Sequence, residues 1–278
     1  NGKSKWITTA SQIKTVYRPG TMLYQIKDSL LGKGQISLSV LAMANAEGMI
    51  IKMETADIPS NTTLIIAYGG ATGKKFSRDG DIGADPESSF YLQPVYCKDN
   101  RYTIFKNTFQ LSYGLSKPLS EEERYEIQYG NKQTDTAAKE KPKQLVGVFP
   151  ENAEVQIADA EQQSTPDALL ASAANLKLPV IAATVVLQKK ETLYFLIQKP
   201  DATITYPDVA DLFIKAEAAR KKIADRIVLQ TPDSYINPLG SALAIAADGI
   251  WEEPSYMHGA IAWRMRLPAW RGPYVADP

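Results

Sequence analysis

Short segments that alternate polar and apolar side chains follow one another along the chain as far as Lys199. A two-residue repeat is typical of half-buried β-strands, and Met49, Ile51 and Met53, for example, would share one strand face. Gly, Pro, Asn and Asp separate the segments at short intervals, which favours an antiparallel β-sandwich over a parallel α/β sheet. The predicted strands are 35–42, 48–54, 62–68, 101–105, 108–113, 145–149, 154–157, 180–187 and 192–197.

The segments between these strands carry turn and cap signals. Lys106 and Asn107 fit a tight hairpin, and the polar residues 188–191 predict a turn that joins the last two strands as a pair. Residues 165–172 predict a short helix, with Thr165 at the N-cap and Pro at the first helical position. The strongly polar stretch 116–143 is interpreted as a surface loop or linker.

From Thr205 onward the apolar repeat becomes helical. A first helix places apolar residues near 3.6-residue spacing, and a second, beginning at Thr231, carries a single apolar stripe and several alanines. The alanines keep the second helix narrow, so neighbouring helices could approach it closely. The apolar positions are Val209, Leu212, Phe213, Ala216, Ile223 and Ile227 in the first helix, and Ile236, Leu239, Leu243, Ala246 and Ile250 in the second.

This layout predicts a mainly β protein in three parts. A large antiparallel β-sandwich, supersandwich-like, would span residues 1–204, and a linker helix would span 205–230. Residues 231–278 would then form the beginning of a helical domain.

Composition excludes several classes of function. The 31 basic and 31 acidic residues cancel, so charge gives no case for a nucleic-acid partner. No apolar run is long enough to span a membrane. Cys97 is the only cysteine and His258 the only histidine, which excludes an internal disulfide and a multi-cysteine metal site. A zinc site would have to rely mainly on carboxylates, which is uncommon, so no metal or other cofactor is expected.

Two loop motifs do not match known ligand loops. Residues 68–75 have Tyr68 where a phosphate-binding loop needs Gly and Lys75 where it needs Ser or Thr, so a glycine-hinged surface loop is the better interpretation. Residues 79–87 hold four carboxylates but lack the glycine and glutamate of an EF-hand. Turn capping is favoured there, and an irregular calcium loop stays an alternative.

The C-terminal segment concentrates aromatic and cationic side chains. Three of the four tryptophans and the only histidine lie within 251–270, and two arginines follow closely. Aromatic faces beside guanidinium groups suit a sugar ring and its hydroxyls. Glu252 and Glu253 are adjacent, so their side chains point apart and do not form a catalytic pair. The candidate sugar-binding residues are Trp251, Glu252, His258, Trp263, Arg264, Trp270 and Arg271.

Residues 256–264 and 270–274, after the alanine-rich helix, resemble the start of the (α/α)6 toroid of six-hairpin glycosidases. Residues 69–92 resemble the sandwich of an uncharacterised, glycoside-hydrolase-like family from bacteria that degrade complex glycans. The resemblance implies a β-supersandwich, a linker helix and a helical barrel, in a secreted or periplasmic protein of polysaccharide utilisation. Only the first hairpin of such a toroid is present, so no catalytic residue is carried over.

Two functions follow as expectations. The chain is either the N-terminal portion of a glycoside hydrolase acting on complex polysaccharide, inactive by itself, or a non-catalytic carbohydrate-binding or structural module. A glycan or oligosaccharide is the expected partner of the hydrolase and of a carbohydrate-binding module. A purely structural module would not bind glycan. The apolar stripe of the second helix would be exposed without further helices, which predicts either self-association through the helical tail or docking of the tail against the sandwich.

Overall fold

The computed structural model describes residues 3–72, 92–114, 142–172, 177–200 and 204–251, and the backbone of residues 252, 255 and 256. Within these residues the protein is mainly β, as its alternating pattern predicts. The strands are β1 (Gln12–Arg18), β2 (Thr21–Lys27), β3 (Gln35–Ala42), β4 (Gly48–Ala56), β5 (Thr63–Tyr68), β6 (Arg101–Phe105), β7 (Thr108–Tyr113), β8 (Lys143–Val148), β9 (Glu154–Asp159), β10 (Pro179–Val186), β11 (Thr192–Gln198), β12 (Trp251–Glu252) and β13 (Ser255–Tyr256).

The helices of the described residues are α1 (Pro166–Ala171), α2 (Tyr206–Ala224) and α3 (Asn237–Gly249). The predicted cap of α1 is confirmed, because the Thr165 hydroxyl accepts a hydrogen bond from the Ala168 N–H at 3.2 Å. At the start of α2, Asp208 accepts hydrogen bonds from both the N–H and the hydroxyl of Thr205. No helix in this part of the chain is long and apolar enough to cross a membrane.

Two antiparallel sheets pack face to face. In the described residues the larger sheet has eight strands in the order β1-β2-β3-β4-β11-β8-β7-β6, and the smaller has three in the order β5-β10-β9. The apolar side chains of their facing surfaces form one core cluster. The smaller sheet is therefore opposed to only part of the larger one.

The expectation that residues 180–187 and 192–197 pair with each other is wrong. β10 pairs with β5 and β9 in the smaller sheet, whereas β11 pairs with β4 and β8 in the larger sheet. The polar turn between them carries the chain from one sheet to the other. Thr55 holds this turn, because its hydroxyl donates to the Gln188 carbonyl at 3.0 Å and accepts from the Glu191 N–H at 2.9 Å.

Gly147 of β8 lets the Phe109 ring of the neighbouring strand β7 lie close to its backbone. A Cβ atom on Gly147 would lie 2.1 Å from Cε1 of Phe109, so only glycine leaves room for that ring. The Phe109 ring also contacts Tyr68 and Phe149, with ring centroids 5.5 Å apart in each pair. The tightest part of the core thus lies where β7 and β8 face the smaller sheet.

Helix α2 covers the opposite face of the larger sheet. Its buried residues Val209 and Phe213 pack against Ile50 and Leu196, which point away from the smaller sheet. The Phe213 ring lies 5.7 Å from the Tyr194 ring. The helical spacing predicted for this segment is confirmed for Val209, Phe213 and Ala216, which form a buried stripe, whereas Ile227 lies beyond the end of α2 at Ala224.

An ion cluster joins α2 to the turn between β1 and β2. Arg220 donates two hydrogen bonds to the Glu217 carboxylate, at 2.8 and 2.9 Å, and a third to the Pro19 carbonyl at 2.6 Å. Arg18 of β1 donates to the same carboxylate at 2.9 Å. The hydrogen bond from Arg220 is the main cause that holds the pKa of Glu217 below its usual value.

Helix α3 contacts α2 and packs closely on the segment that follows α2. The helix begins at Asn237 and not at Thr231, since the Thr231 N–H donates to the Asn237 side chain and forms a turn first. Gly240 and Ala244 are its buried positions, and a Cβ on Gly240 would lie 2.8 Å from the Ile227 carbonyl oxygen. The close approach is thus to the segment after α2, and the predicted apolar stripe faces elsewhere. Ile236, Leu239 and Leu243 are 42%, 52% and 54% exposed.

Candidate functional site

A cleft of about 1050 Å³ lies between the two sheets where the smaller sheet ends. Strand β5 forms one wall, and the inner faces of β2, β3, β4 and β11 form the floor. The N-terminal residues 3–8 and the start of α1 lie along its rim. A concave, largely apolar space of this size with a few polar groups at its margin is typical of a ligand site.

The floor is apolar because of the two-residue repeat. Ile36 and Leu38 of β3 and Met49, Ile51 and Met53 of β4 all point to the inner side of the larger sheet and line the cleft. Leu38 and Ile51 are only partly buried, so this part of the sheet is incompletely covered. The floor offers apolar contact and no array of sugar-binding polar groups.

The wall has an unpaired backbone edge. The Thr62 carbonyl accepts from the Leu187 N–H at 3.0 Å, so even-numbered residues of β5 bond to β10 in this antiparallel register. The N–H and C=O groups of Thr63, Ile65 and Ala67 therefore point away from β10 and face the cleft. In the described part of the chain no hydrogen bond reaches these groups.

Asp28 anchors the rim of the cleft. Its side chain is 5% exposed and accepts hydrogen bonds from Lys5 Nζ, the Ser11 N–H and the Leu30 N–H, at 2.9, 2.9 and 3.0 Å. The Leu30 amide and then Lys5 hold the pKa of this carboxyl well below its usual range. Asp28 is thus a fixed anion that ties the N-terminal segment to the end of β2.

A second buried polar group holds the segment that follows β5. Asn100 is fully buried, and its carbonyl oxygen accepts from the Gly70 and Ala71 N–H groups at 3.1 and 3.2 Å. Its amide donates to the Ala71 carbonyl at 2.7 Å. Tyr102 donates to the Tyr68 carbonyl, and burial raises the pKa of Tyr102 above its ordinary range. These contacts are structural and fix where the glycine-rich stretch begins.

The only cysteine of the sequence is buried. Burial raises the pKa of the Cys97 thiol to about 11, so little thiolate forms near neutral pH. The carboxylates among the described lining of the cleft are Asp28 and Asp167, and Asp28 is held by three donors. No group of three potential metal ligands occurs in this part of the chain. The acidic stretch 79–87 lies outside the described residues.

Of the seven predicted sugar-binding residues, the structure describes Trp251 and the backbone of Glu252. Trp251 and Glu252 form β12 directly after α3 and pair with Tyr256 and Ser255. The Trp251 side chain is 49% exposed at the end of the helix. The other five predicted residues lie outside the described part of the chain: His258, Trp263, Arg264, Trp270 and Arg271.

The geometry defines a two-sheet β protein with an interior cleft and a helical extension. The chain matches a family described as a domain of unknown function, DUF4450, over residues 1–217. This match covers both sheets and most of α2, and the chain belongs to that family. No curated protein matches the sequence.

Sequence reasoning missed the cleft and the hairpin of β1 and β2. Alternation in β2, where Met22, Tyr24 and Ile26 share a face, was a signal for the hairpin. The cleft gave no such signal. It depends on which strands face each other across the two sheets, and the order of strands in a sheet is not written in any local pattern.

Proposed function

We propose that this chain is the N-terminal portion of a glycoside hydrolase acting on complex polysaccharide. In this proposal the β-sandwich supports a helical domain, and the chain by itself is inactive. The order of parts agrees with the resemblance to six-hairpin glycosidases, since the sandwich is followed by a packed helix and then by α3. Such a protein would be secreted or periplasmic and would bind glycan.

The exposed apolar stripe of α3 carries the proposal. The helix contacts α2, and its buried position Gly240 lies against Ile227 in the segment that follows α2, while Ile236, Leu239 and Leu243 are exposed. Large apolar side chains in a row on a helix are a surface for packing against further helices. This arrangement suits the first helix of a helical domain. Without further helices the same stripe would favour self-association.

The aromatic and cationic residues after α3 would then contribute to the glycan site. Trp251 supplies a half-exposed ring. In the proposal Glu252, His258, Trp263, Arg264, Trp270 and Arg271 complete a surface of ring faces and hydrogen-bond donors. The general acid and base would come from residues outside this chain.

Tryptophan fluorescence provides the experiment. The chain is titrated with a panel of plant and host oligosaccharides, and binding is expected to change the emission. Trp263→Ala and Trp270→Ala should each abolish the response. Trp6→Phe serves as the control, because Trp6 is far from α3 in sequence and donates to the Gln163 carbonyl at 2.8 Å. No response to any glycan, or a response lost only in the Trp6 variant, contradicts a sugar site after α3.

A non-catalytic binding or structural module is the second candidate. The observation that favours it is the state of the described carboxylates at the cleft, because Asp28 accepts three hydrogen bonds and is not available as an acid or base. The reading frame of the gene distinguishes the two candidate functions. A reading frame that continues past Pro278 with helical hairpins supports the hydrolase, and a stop codon there supports the module.

A further inference from the structure

We infer that the cleft binds an extended peptide of another protein, which adds as a fourth strand beside β5. The inference is independent of the glycan proposal, because it concerns the opposite end of the chain from the residues after α3. Within the described residues it rests on three properties of the cleft: a strand edge that is not paired, an apolar floor beside it, and a floor that carries no unpaired buried charge.

The strand edge is the first property. Two backbone bonds fix its orientation independently: Leu187 N–H to the Thr62 carbonyl at 3.0 Å, and Ala160 N–H to the Leu178 carbonyl at 2.9 Å. In the register of β10 with β5, the first bond means that odd-numbered residues of β10 bond to even-numbered residues of β5. In the register of β10 with β9, the second bond means that even-numbered residues of β10 bond to β9, so the two bonds agree. The backbone groups of Thr63, Ile65 and Ala67 therefore face the cleft, spaced as a pairing strand requires.

The floor is the second property. Leu38, Met49 and Ile51 lie under this edge on the inner face of the larger sheet, and they are incompletely covered. A strand paired with β5 would turn alternate side chains towards this floor and the others towards solvent. Main-chain bonds to the edge and apolar side chains on the floor are the two components of peptide recognition by strand addition.

Charge is the third property and restricts the occupant. Lys5 and Asp28 at the rim bind each other at 2.9 Å, and the floor itself is apolar. An uncharged strand with apolar residues at alternate positions is complementary to this surface. A lipid chain would cover the floor but would leave the edge groups unpaired and cut off from water, which is costly.

A second copy of the chain is a poorer occupant. The edge strands of the two described sheets other than β5 each carry charge: β1 has Lys14 and Arg18, β6 has Arg101 and β9 has Glu154. Charges on an edge strand oppose pairing with another edge. The fit therefore favours a segment from a separate polypeptide.

Peptide binding tests the inference directly. The probe is a fluorescein-labelled, end-capped heptapeptide of alternating threonine and valine, followed by fluorescence anisotropy. Two further peptides carry N-methyl groups on either the odd or the even residues. One of them should bind about tenfold or more weakly, because its edge-facing donors are lost, and the other should bind like the parent. Equal binding of all three, or no binding up to about 1 mM, overturns the inference.

Matched variants locate the binding. Ile65→Pro removes an N–H that faces the cleft while sparing the bonds to β10, so it should abolish peptide binding, whereas Ile65→Ala should keep it. Met49→Lys places a charge on the floor and should weaken binding. Val186→Lys, at an exposed site of β10 outside the cleft, should not. Binding unaffected by both Ile65→Pro and Met49→Lys places the peptide elsewhere and overturns the inference.

Hydrogen exchange tests the edge without a ligand. In the free protein the amides of Thr63, Ile65 and Ala67 should exchange rapidly, while those of Leu64 and Ile66, bonded to β10, exchange slowly. The peptide should slow the first group alone. Slow exchange of the first group in the free monomer would show that the chain covers its own edge. A dimer that Ile65→Pro dissociates would assign the cleft to a second copy. Either result contradicts a separate peptide partner.

Discussion

The two faces of the larger sheet are covered in different ways. On one face α2 lies directly on the sheet, with Phe213 against Tyr194 and a carboxylate of Glu217 bound by two arginines. On the other face three strands oppose eight, so the tight packing around Phe109 gives way to the cleft below β5. One sheet thus has a face closed by complementary packing and a face that is only partly closed.

The difference shows that the elements packed on a sheet face, and not its apolar side chains alone, determine whether that face is buried or open to a ligand. Each face carries an isoleucine of β4, because Ile50 and Ile51 are neighbours in sequence and point to opposite sides. Ile50 is fully buried under α2, while Ile51 is partly exposed in the cleft. The closed face contributes stability, and the open face offers a surface to a ligand.

Truncation of the helix contact should have the largest effect. Phe213→Ala removes a buried ring that contacts Tyr194 and lies under Lys52, and should lower the free energy of unfolding by about 3–5 kcal/mol. Leu38→Ala on the open face should cost only about 1 kcal/mol because the side chain is already partly exposed. Urea unfolding of both variants measures the comparison. Equal losses would show that the two faces are equally closed.

Filling the tight region of the inner face should come next. Gly147→Ala forces the Phe109 ring to move and should cost about 1–3 kcal/mol. Gly249→Ala is the control, since no atom lies within 4 Å of its added Cβ, and it should be neutral or slightly stabilising. Thermal unfolding compares the two. A tolerated Gly147→Ala would mean that the sheets can separate there, and that the cleft is not confined to the β5 side.

The rim of the cleft should be sensitive to pH. Asp28 has a folded-state pKa well below its unfolded value of about 3.9, so its stabilising effect is complete above that value and decreases as the pH falls through the folded pKa. Asp28→Asn should therefore cost about 1–2 kcal/mol at neutral pH. The difference between wild type and variant should shrink as the pH falls below about 4. A difference independent of pH between 7 and about 3 would exclude a role for the charge.

The ion cluster of the closed face should give the smallest effect. Glu217→Gln keeps the shape of the side chain but removes the charge shared by Arg18 and Arg220, and should cost about 0.5–1 kcal/mol because the carboxylate is partly exposed. High salt should reduce the difference between wild type and variant. Lys221, which pairs with Asp225 on the exposed side of α2, provides a control through Lys221→Gln. A larger effect for the control would show that the cluster does not hold α2.

Much of the local structure could be predicted from the sequence. Strand β3 has the predicted bounds, and the hairpin at Lys106 and Asn107 and the cap at Thr165 follow from short-range signals. In each case a few neighbouring residues determine the local structure, because burial patterns and turn chemistry act over a few positions. The start of α3 was misplaced because Thr231, a good cap in sequence, bonds to Asn237 in a preceding turn.

The sequence by itself determined the mainly β character, the change to helices after Thr205 and the concentration of aromatic side chains after α3. Only the tertiary structure decided that β10 and β11 belong to different sheets and that the β5 edge faces an apolar floor. The reason is physical. An alternating strand specifies which side chains are buried, but any apolar surface can bury them, so the partner is chosen by the packing of the whole chain.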